Sequence, residues 1–142
     1  GGAMAMAWAQ KEALRRTLDR AAQPKKEVTP VYLMEEACAA LRKAPGGNLA
    51  DAAEHLCMKR LAQANPDAKA AVLRLVKYCC LQPGMAPFRQ ALHAQLGALR
   101  ACVSHTGPPD ALRGDRPHQA VRELAAQALQ AVQATDQQLA AR

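Results

Sequence analysis

The sequence has few aromatic residues and no long apolar run. Aromatic side chains make up 3% of the 142 residues, whereas the hydrophobic share is 50% and consists largely of alanine. Strands favour β-branched and aromatic side chains, while alanine has the highest helix propensity. A transmembrane helix needs roughly 20 consecutive apolar residues, and no stretch of this sequence approaches that length. The composition therefore predicts an all-α fold without a membrane-spanning segment.

The cysteines show neither a disulfide framework nor a metal-ligand pattern. Their number is odd, no two are spaced as Cys-x-x-Cys, and each lies among apolar residues of a predicted helix: Cys38, Cys57, Cys79, Cys80 and Cys102. Zinc sites in proteins have characteristic ligand spacings, and this spacing matches none of them. We therefore predict that the cysteines are small buried apolar side chains of a protein in a reducing compartment, and that they bind no metal and no cofactor.

No catalytic constellation can be recognised either. The histidines are scattered, at His55, His93, His105 and His118, and His55 is expected to be a surface or hydrogen-bonded histidine. Cys102 is near His105, but closeness in sequence is weak support for a nucleophile and its base. No glycine-rich segment is followed by the Lys-Ser or Lys-Thr of a phosphate loop. We predict that the chain is not an enzyme.

Proline, glycine and capping residues divide the chain into six or seven predicted helices. The first spans about residues 7–22, with Trp8, Leu14 and Leu18 near one face, and ends at Pro24 and the basic run at 25–27. Later helix starts are predicted at Thr29-Pro30, at Asn48 with Asp51 as a near capping box, at Asn65-Pro66-Asp67, at Pro87 and at Asp115. The fourth helix is apolar around much of its circumference and is expected to be central and buried.

These boundaries predict a single domain. Residues 1–6 are expected to be a cloning remnant or a disordered N-terminus, residues 7–134 the domain, and residues 135–142 a frayed tail. Short connections between helices imply antiparallel neighbours. The helical pattern alone leaves a superhelix of stacked helices and a compact bundle equally open.

A net charge of +7 favours an acidic partner, such as a membrane surface, a nucleic acid or an acidic peptide. The predicted third and fourth helices carry a candidate basic patch of Lys59, Arg60, Lys69, Arg74 and Lys77. These residues could bind acidic headgroups or peptides, or simply form a solvated face. Nucleic-acid binding is not expected, because single-strand binding needs exposed aromatic side chains. All four aromatic residues, Trp8, Tyr32, Tyr78 and Phe88, are expected in the core.

Several segments resemble the ENTH domain family. The stretch from Thr29 to Cys38 resembles its second helix, and Met58-Lys-Arg-Leu61 and Leu73-Arg-Leu-Val-Lys-Tyr78 resemble its third and fourth. The signature Gly-x-Pro-Asp-x-Leu-x-Gly-Asp is similar to that of the tepsin and plant modified-transport-to-the-vacuole branch. Its residues here are Gly107, Pro109, Asp110, Leu112, Gly114 and Asp115, followed by Ala120-Val-Arg-Glu123.

The resemblance implies a right-handed superhelix of about seven stacked helices. It implies a non-enzymatic, monomeric module of a vesicle-trafficking protein, cytoplasmic and peripherally associated with trans-Golgi, endosomal or clathrin-coated membranes. Its partners would be proteins of the vesicle coat, with an adaptor complex contacting segments outside this chain. Epsin-type members bind phosphoinositides through an additional N-terminal helix and basic residues. This sequence begins almost at once with its first core helix, so we expect weak or absent lipid affinity.

Two alternatives remain open at this point. One is a phosphoinositide-binding membrane module that uses the basic patch, and the other is a phosphopeptide reader of the same superhelical fold. The signature loop also has a purely structural interpretation. In that interpretation Pro108 and Pro109 stiffen the connection, Gly107 and Gly114 permit a positive φ, and Asp115 caps the last helix.

Overall fold

The regular secondary structure is helical in the computed structural model, which describes residues 1–24 and 29–142. In chain order the helices are α1 (Gly2–Ala21), α2 (Val31–Lys43), α3 (Gly46–Glu54), α4 (Pro66–Cys80), α5 (Ala86–Leu92), α6 (Leu96–Val103), α7 (Arg116–Gln133) and α8 (Asp136–Ala140). A π-helical turn, His55–Arg60, continues α3, and a 3-10 turn, His93–Gln95, joins α5 to α6. The predicted all-α class is confirmed.

The helices stack as a right-handed superhelix with α4 at its centre. Helix α4 packs against α7 along much of its length and also contacts α2 and α5. Its side chains are buried on several sides, and those of Val72, Leu73, Leu75 and Val76 are at most 1% exposed. The prediction of a central, buried fourth helix is therefore confirmed. None of the described helices is long and apolar enough to cross a membrane.

The predicted N-cap of α4 forms as expected. Asn65 Oδ1 accepts hydrogen bonds from the backbone amides of Asp67, at 2.8 Å, and Ala68, at 3.3 Å. Pro66 occupies the first helical position, where its missing N–H costs nothing. This end of α4 is consequently rigid, and it forms one wall of the candidate site.

Two other predicted caps are wrong. Helix α2 begins after Pro30, and Thr29 is buried without capping it. Helix α3 begins at Gly46, so Asn48 lies inside its first turn rather than before it. Asp51, expected to complete a capping box there, instead accepts hydrogen bonds from Arg15 of α1 at 2.9 and 2.5 Å. A tertiary ion pair has replaced the local interaction.

Both ends of the chain are helical. Helix α1 begins at Gly2, within the residues predicted to be a remnant or disordered. At the other end, Thr135 accepts a hydrogen bond from the Gln138 amide and forms a complete capping box for α8, within the segment 135–142 predicted to fray. The domain bounds of 7–134 stay a prediction. The basic run at 25–27 lies outside the described residues.

Half of the aromatic prediction is wrong. Phe88 is 1% exposed and Tyr78 is half-buried, but Trp8 is 66% and Tyr32 67% exposed. Trp8 lies in the first half of α1, where residues 1–10 are exposed, whereas Leu14 and Leu18 farther along the same helix are buried.

The predicted fifth helix is interrupted. A 3-10 turn, His93–Gln95, separates α5 from α6. On α6, Cys102 is buried and Val103 is 38% exposed. All five cysteines are buried, as predicted.

Candidate functional site

The signature loop between α6 and α7 contains a closed turn. The backbones of Asp110 and Gly114 exchange two hydrogen bonds of 2.9 Å. Gly114 has a φ of +62°, a conformation that glycine adopts without strain. Asp110 Oδ1 accepts hydrogen bonds from the amides of Leu112 and Arg113, both at 2.9 Å. These two amides, followed by the Arg113 side chain, lower the pKa of the Asp110 carboxyl to about 2.

Arg113 joins this turn to the start of α4. Its Nη1 and Nη2 donate to Asp67 Oδ1 and Oδ2, each at 3.0 Å, and Nη2 also donates to Asp110 Oδ2 at 3.1 Å. A guanidinium that binds a carboxylate through two parallel hydrogen bonds has a fixed orientation. The hydrogen bond to Asp67, and then that to Asp110, raise the pKa of Arg113. The turn is therefore held in one place on the domain.

Two histidines support the other side of the loop. His118 Nε2 lies 2.7 Å from the Pro108 carbonyl oxygen, and His118 Nδ1 lies 2.8 Å from His105 Nε2. Because a carbonyl oxygen can only accept, neutral His118 donates from Nε2 and accepts at Nδ1 a hydrogen bond donated by His105 Nε2–H. Burial, and after it the electrostatic interaction with His118, lower the pKa of His105. His105 thus pairs with His118, and not with Cys102 as a nucleophile.

Gly107 is required by close packing and not by its backbone angle. A methyl group at this position would overlap Cε1 of His118 and lie 3.0 and 3.1 Å from its ring nitrogens. The expectation of a positive φ is confirmed at Gly114 and is wrong at Gly107.

Asp115 precedes α7 but does not cap it. Its φ of −82° and ψ of −5° are helical, whereas a capping side chain needs an extended backbone to reach the first amides. Its carboxylate instead accepts a hydrogen bond from Arg122 Nη2 at 2.6 Å, and this contact lowers the pKa of Asp115. Arg122 Nη1 donates to the His105 carbonyl oxygen at 2.9 Å, so this ion pair also braces the loop.

Leu112 is an apolar side chain of the signature that faces solvent. It lies at the tip of the closed turn and is 90% exposed. Pro109 is also exposed. Beside the turn, a cleft of about 520 Å³ opens between the loop and the start of α4, and its walls include Asn65, Pro66, Lys69, His105, Pro108 and His118. The arrangement presents one apolar side chain on a braced support beside a cleft.

The candidate basic patch is not a set of free cations. Arg60 Nη2 donates to the Ala22 carbonyl oxygen at the end of α1, at 2.9 Å. Lys69 Nζ donates to the Leu61 carbonyl oxygen after the π-helical turn, at 2.6 Å. Positive side chains at helix C-termini satisfy carbonyls that lack helical partners. These two residues therefore stabilise helix ends.

The other three basic residues are distributed along the same two helical segments. Lys77 Nζ donates to Gln127 Oε1 of α7 at 2.8 Å. Lys59 is exposed and Arg74 half-buried. His55, also in this region, lies 2.7 Å from Asp19 Oδ1, which confirms the prediction of a hydrogen-bonded histidine. Across residues 1–24 and 29–142, no cluster of three or more His, Cys, Asp or Glu side chains could hold a metal ion.

The contacts that brace the loop, those of Arg113, His118 and Arg122, were not predicted from the sequence. Arg113 and Asp67 are 46 positions apart, and no local pattern connects them. His105 and His118 flank the loop in the sequence, and that symmetry is a signal that could have suggested their pairing.

Comparison with known proteins identifies the domain. No protein-family model matches the sequence. An NMR structure of a hypothetical ENTH-VHS domain from Arabidopsis thaliana has a TM-score of 0.80 at 30% sequence identity, covering 89% of each chain. The chain belongs to the ENTH-VHS domain family. A second NMR structure of the same Arabidopsis domain has a TM-score of 0.78 at 32% identity, covering 87% of this chain and 86% of that one.

A curated relative also matches this ENTH-VHS domain. It is Protein MODIFIED TRANSPORT TO THE VACUOLE 1 of Arabidopsis thaliana, which is 33% identical over 117 residues, or 82% of this chain. The match spans 17% of that protein's length. The family and branch indicated by the signature loop are confirmed.

Proposed function

We propose that this ENTH-VHS domain is a non-enzymatic protein-interaction module of a vesicle-trafficking protein. It would act on clathrin- or adaptor-associated carriers of the trans-Golgi network or endosomes. The relative named for transport to the vacuole supports the trafficking assignment. Partners would include proteins of the vesicle coat, while an adaptor complex would contact parts of the protein outside this domain.

The observation that carries this proposal is the braced turn that presents Leu112. Leu112 is 90% exposed, so it contributes little to the folded core. Binding is weakened by the entropy of ordering flexible loops, and a loop that is already ordered avoids much of that cost. Asp110 and Arg113 order this loop before any partner arrives. An exposed leucine on such a support suits insertion into an apolar pocket of a partner protein.

The environment of the basic residues supports weak or absent lipid affinity. A phosphoinositide headgroup requires several cations that can converge on its phosphates. Arg60 and Lys69 donate to main-chain carbonyls, and Lys77 donates to Gln127. Recruiting them to a headgroup would break these hydrogen bonds and uncap two helix ends.

A comparative pull-down from cytosol, quantified by mass spectrometry, tests the protein-binding role. The baits are the wild-type domain, Leu112→Ser and the control Met58→Ser, because Met58 is another exposed apolar side chain, at 57%. We expect coat-associated proteins to be retained by wild type and M58S and reduced at least tenfold by L112S. Equal retention by all three baits would show that the turn is not the binding element.

Vesicle sedimentation separates this function from its membrane alternative. Vesicles with and without phosphoinositides are pelleted with wild type and with the double variant Lys59→Glu, Arg74→Glu. We expect little pelleting in every case. Strong, headgroup-dependent pelleting that the double variant abolishes would establish the membrane module instead. Tight binding of a phosphorylated peptide, and not of its unphosphorylated form, would similarly favour the phosphopeptide reader.

A further inference from the structure

Two buried thiols meet where α2 packs on α4. Cys38 Sγ and Cys79 Sγ lie 2.8 Å apart, although the residues are 41 positions apart in the sequence. Both residues are at most 1% exposed. A disulfide brings its sulfur atoms to about 2.05 Å. The two sulfur atoms, already in hydrogen-bond contact, are therefore within reach of a bond.

We propose that Cys38 and Cys79 are a redox modification site, which forms an intramolecular disulfide linking α2 to α4 when the folded domain meets a peroxide. The site does not depend on the proposed trafficking function.

The surrounding core holds the two residues in place. Cys38 lies on the buried face of α2 with Met34, Ala37 and Leu41, and Cys79 lies on the central helix. Because close-packed cores resist backbone movement, the sulfur atoms must close the remaining gap. That gap is less than about 1 Å, because the sulfur atoms are 2.8 Å apart and a disulfide needs about 2.05 Å. Little movement of the two side chains is therefore needed for a bond to form.

The two thiols differ in acidity in a way that suits disulfide formation. The contact with Cys79, and after it the charge of Arg42, lower the pKa of Cys38, whereas the same contact and burial raise the pKa of Cys79. Thiolates are the reactive form of cysteine, and attack by either sulfur gives the same disulfide. Burial raises the pKa of Cys80, the immediate neighbour of Cys79, to about 12, which keeps it protonated.

Hydrogen peroxide supplies the oxidant in two balanced steps. Cys38 thiolate attacks one peroxide oxygen, the O–O bond breaks, and the released hydroxide takes up the proton lost from Cys38 to give water. Cys79 then attacks the sulfur of the resulting sulfenic acid. The S–S bond forms, the S–O bond breaks, and the hydroxide leaves as a second water with the proton of Cys79. Two thiols are oxidised by two electrons, and one peroxide is reduced to two waters.

The test is peptide mapping of the folded domain after peroxide treatment. Remaining thiols are alkylated in denaturant, and the intact mass and disulfide-linked peptides are read without reductant. Compared with the untreated protein alkylated in the same way, oxidised wild type should carry two alkyl groups fewer and yield one linked peptide pair containing Cys38 and Cys79. C38A and C79A should lose this product, whereas C80A, the matched control on the same helix, should retain it.

A melting experiment provides the second readout. Closing a loop of this length restricts the unfolded chain, so the melting temperature should rise by roughly 10 °C on oxidation and return with dithiothreitol. The proposal is overturned if all thiols remain free, if the bond maps to another pair, or if oxidation lowers the melting temperature. Mapping of the wild-type protein decides the question even where an alanine variant fails to fold.

Discussion

Replacing Gly107 by alanine would force the signature loop away from α7. The new methyl group would overlap Cε1 of His118 and lie 3.0 Å from its Nδ1. The ring cannot retreat freely, because it is hydrogen-bonded to the Pro108 carbonyl at 2.7 Å and to His105 at 2.8 Å. Overpacking costs about 1–3 kcal/mol, and each lost hydrogen bond about 0.5–1.5 kcal/mol. We expect G107A to lower the free energy of unfolding by about 2–4 kcal/mol.

Thermal unfolding followed by circular dichroism measures this loss. An unfolding entropy of about 2.1 cal/mol/K per residue amounts to roughly 0.3 kcal/mol/K for a chain of this size, so the melting temperature should fall by about 7–13 °C. Gly97 provides a matched control in α6, since a methyl group there meets nothing within 4 Å. G97A should stabilise the helix by about 0.5–1 kcal/mol.

The double variant G107A/H118A tests whether overlap with the His118 ring causes the loss of stability in G107A. Without the imidazole ring the overlap disappears, so adding G107A to H118A should cost less than about 0.5 kcal/mol, the usual error of additivity. An equal melting temperature of G107A and the wild-type protein would refute the close packing of Gly107 against His118. It is also refuted if G107A costs as much in the H118A background as in the wild-type protein.

Four further variants probe three other contacts of the domain. The folded state lowers the pKa of His105 and so favours its neutral form. The stability that His105 contributes is fully present above its pKa in the unfolded chain, near 6.5, and is lost as the pH falls toward its lower pKa in the folded domain. In H105Q the free energy of unfolding should therefore depend less on pH over this range. R113A should speed amide hydrogen exchange throughout the turn, and D67N should do so to a smaller extent, because its side chain can still accept one hydrogen bond. D136N weakens the only acidic contact described for the buried Arg89, so the amides of α8 should exchange faster while those of α4 remain protected.

Each of these outcomes can fail in a distinct way. An unchanged pH dependence in H105Q would assign the titration to another group. Equal exchange in wild type and R113A would show that the Asp110 contacts alone order the turn. Unchanged exchange in α8 of D136N would mean that packing, and not the ion pair with Arg89, holds that helix.

The helices of this domain follow from local sequence, and their ends follow only in part. Alanine-rich segments with apolar residues at intervals of three and four residues can bury one face only as helices. The Asn65 cap was predictable because its partners are the next few amides. The Asp51 contact was not, because its partner, Arg15, belongs to another helix. A capping pattern indicates which local hydrogen bonds are possible. Whether a charged side chain from another helix binds the same carboxylate oxygen, as Arg15 binds Asp51, depends on the tertiary fold.

The signature loop shows the same division. By itself the sequence determined an all-α domain, its branch of the ENTH family, and a positive φ at Gly114 of the loop. Only the tertiary structure decided that Gly107 makes room for His118, that Arg113 binds Asp67, and that Leu112 is 90% exposed. These facts depend on how α4, α6 and α7 approach one another. Such long-range approach is set by the packing of the whole core, which no short window of sequence contains.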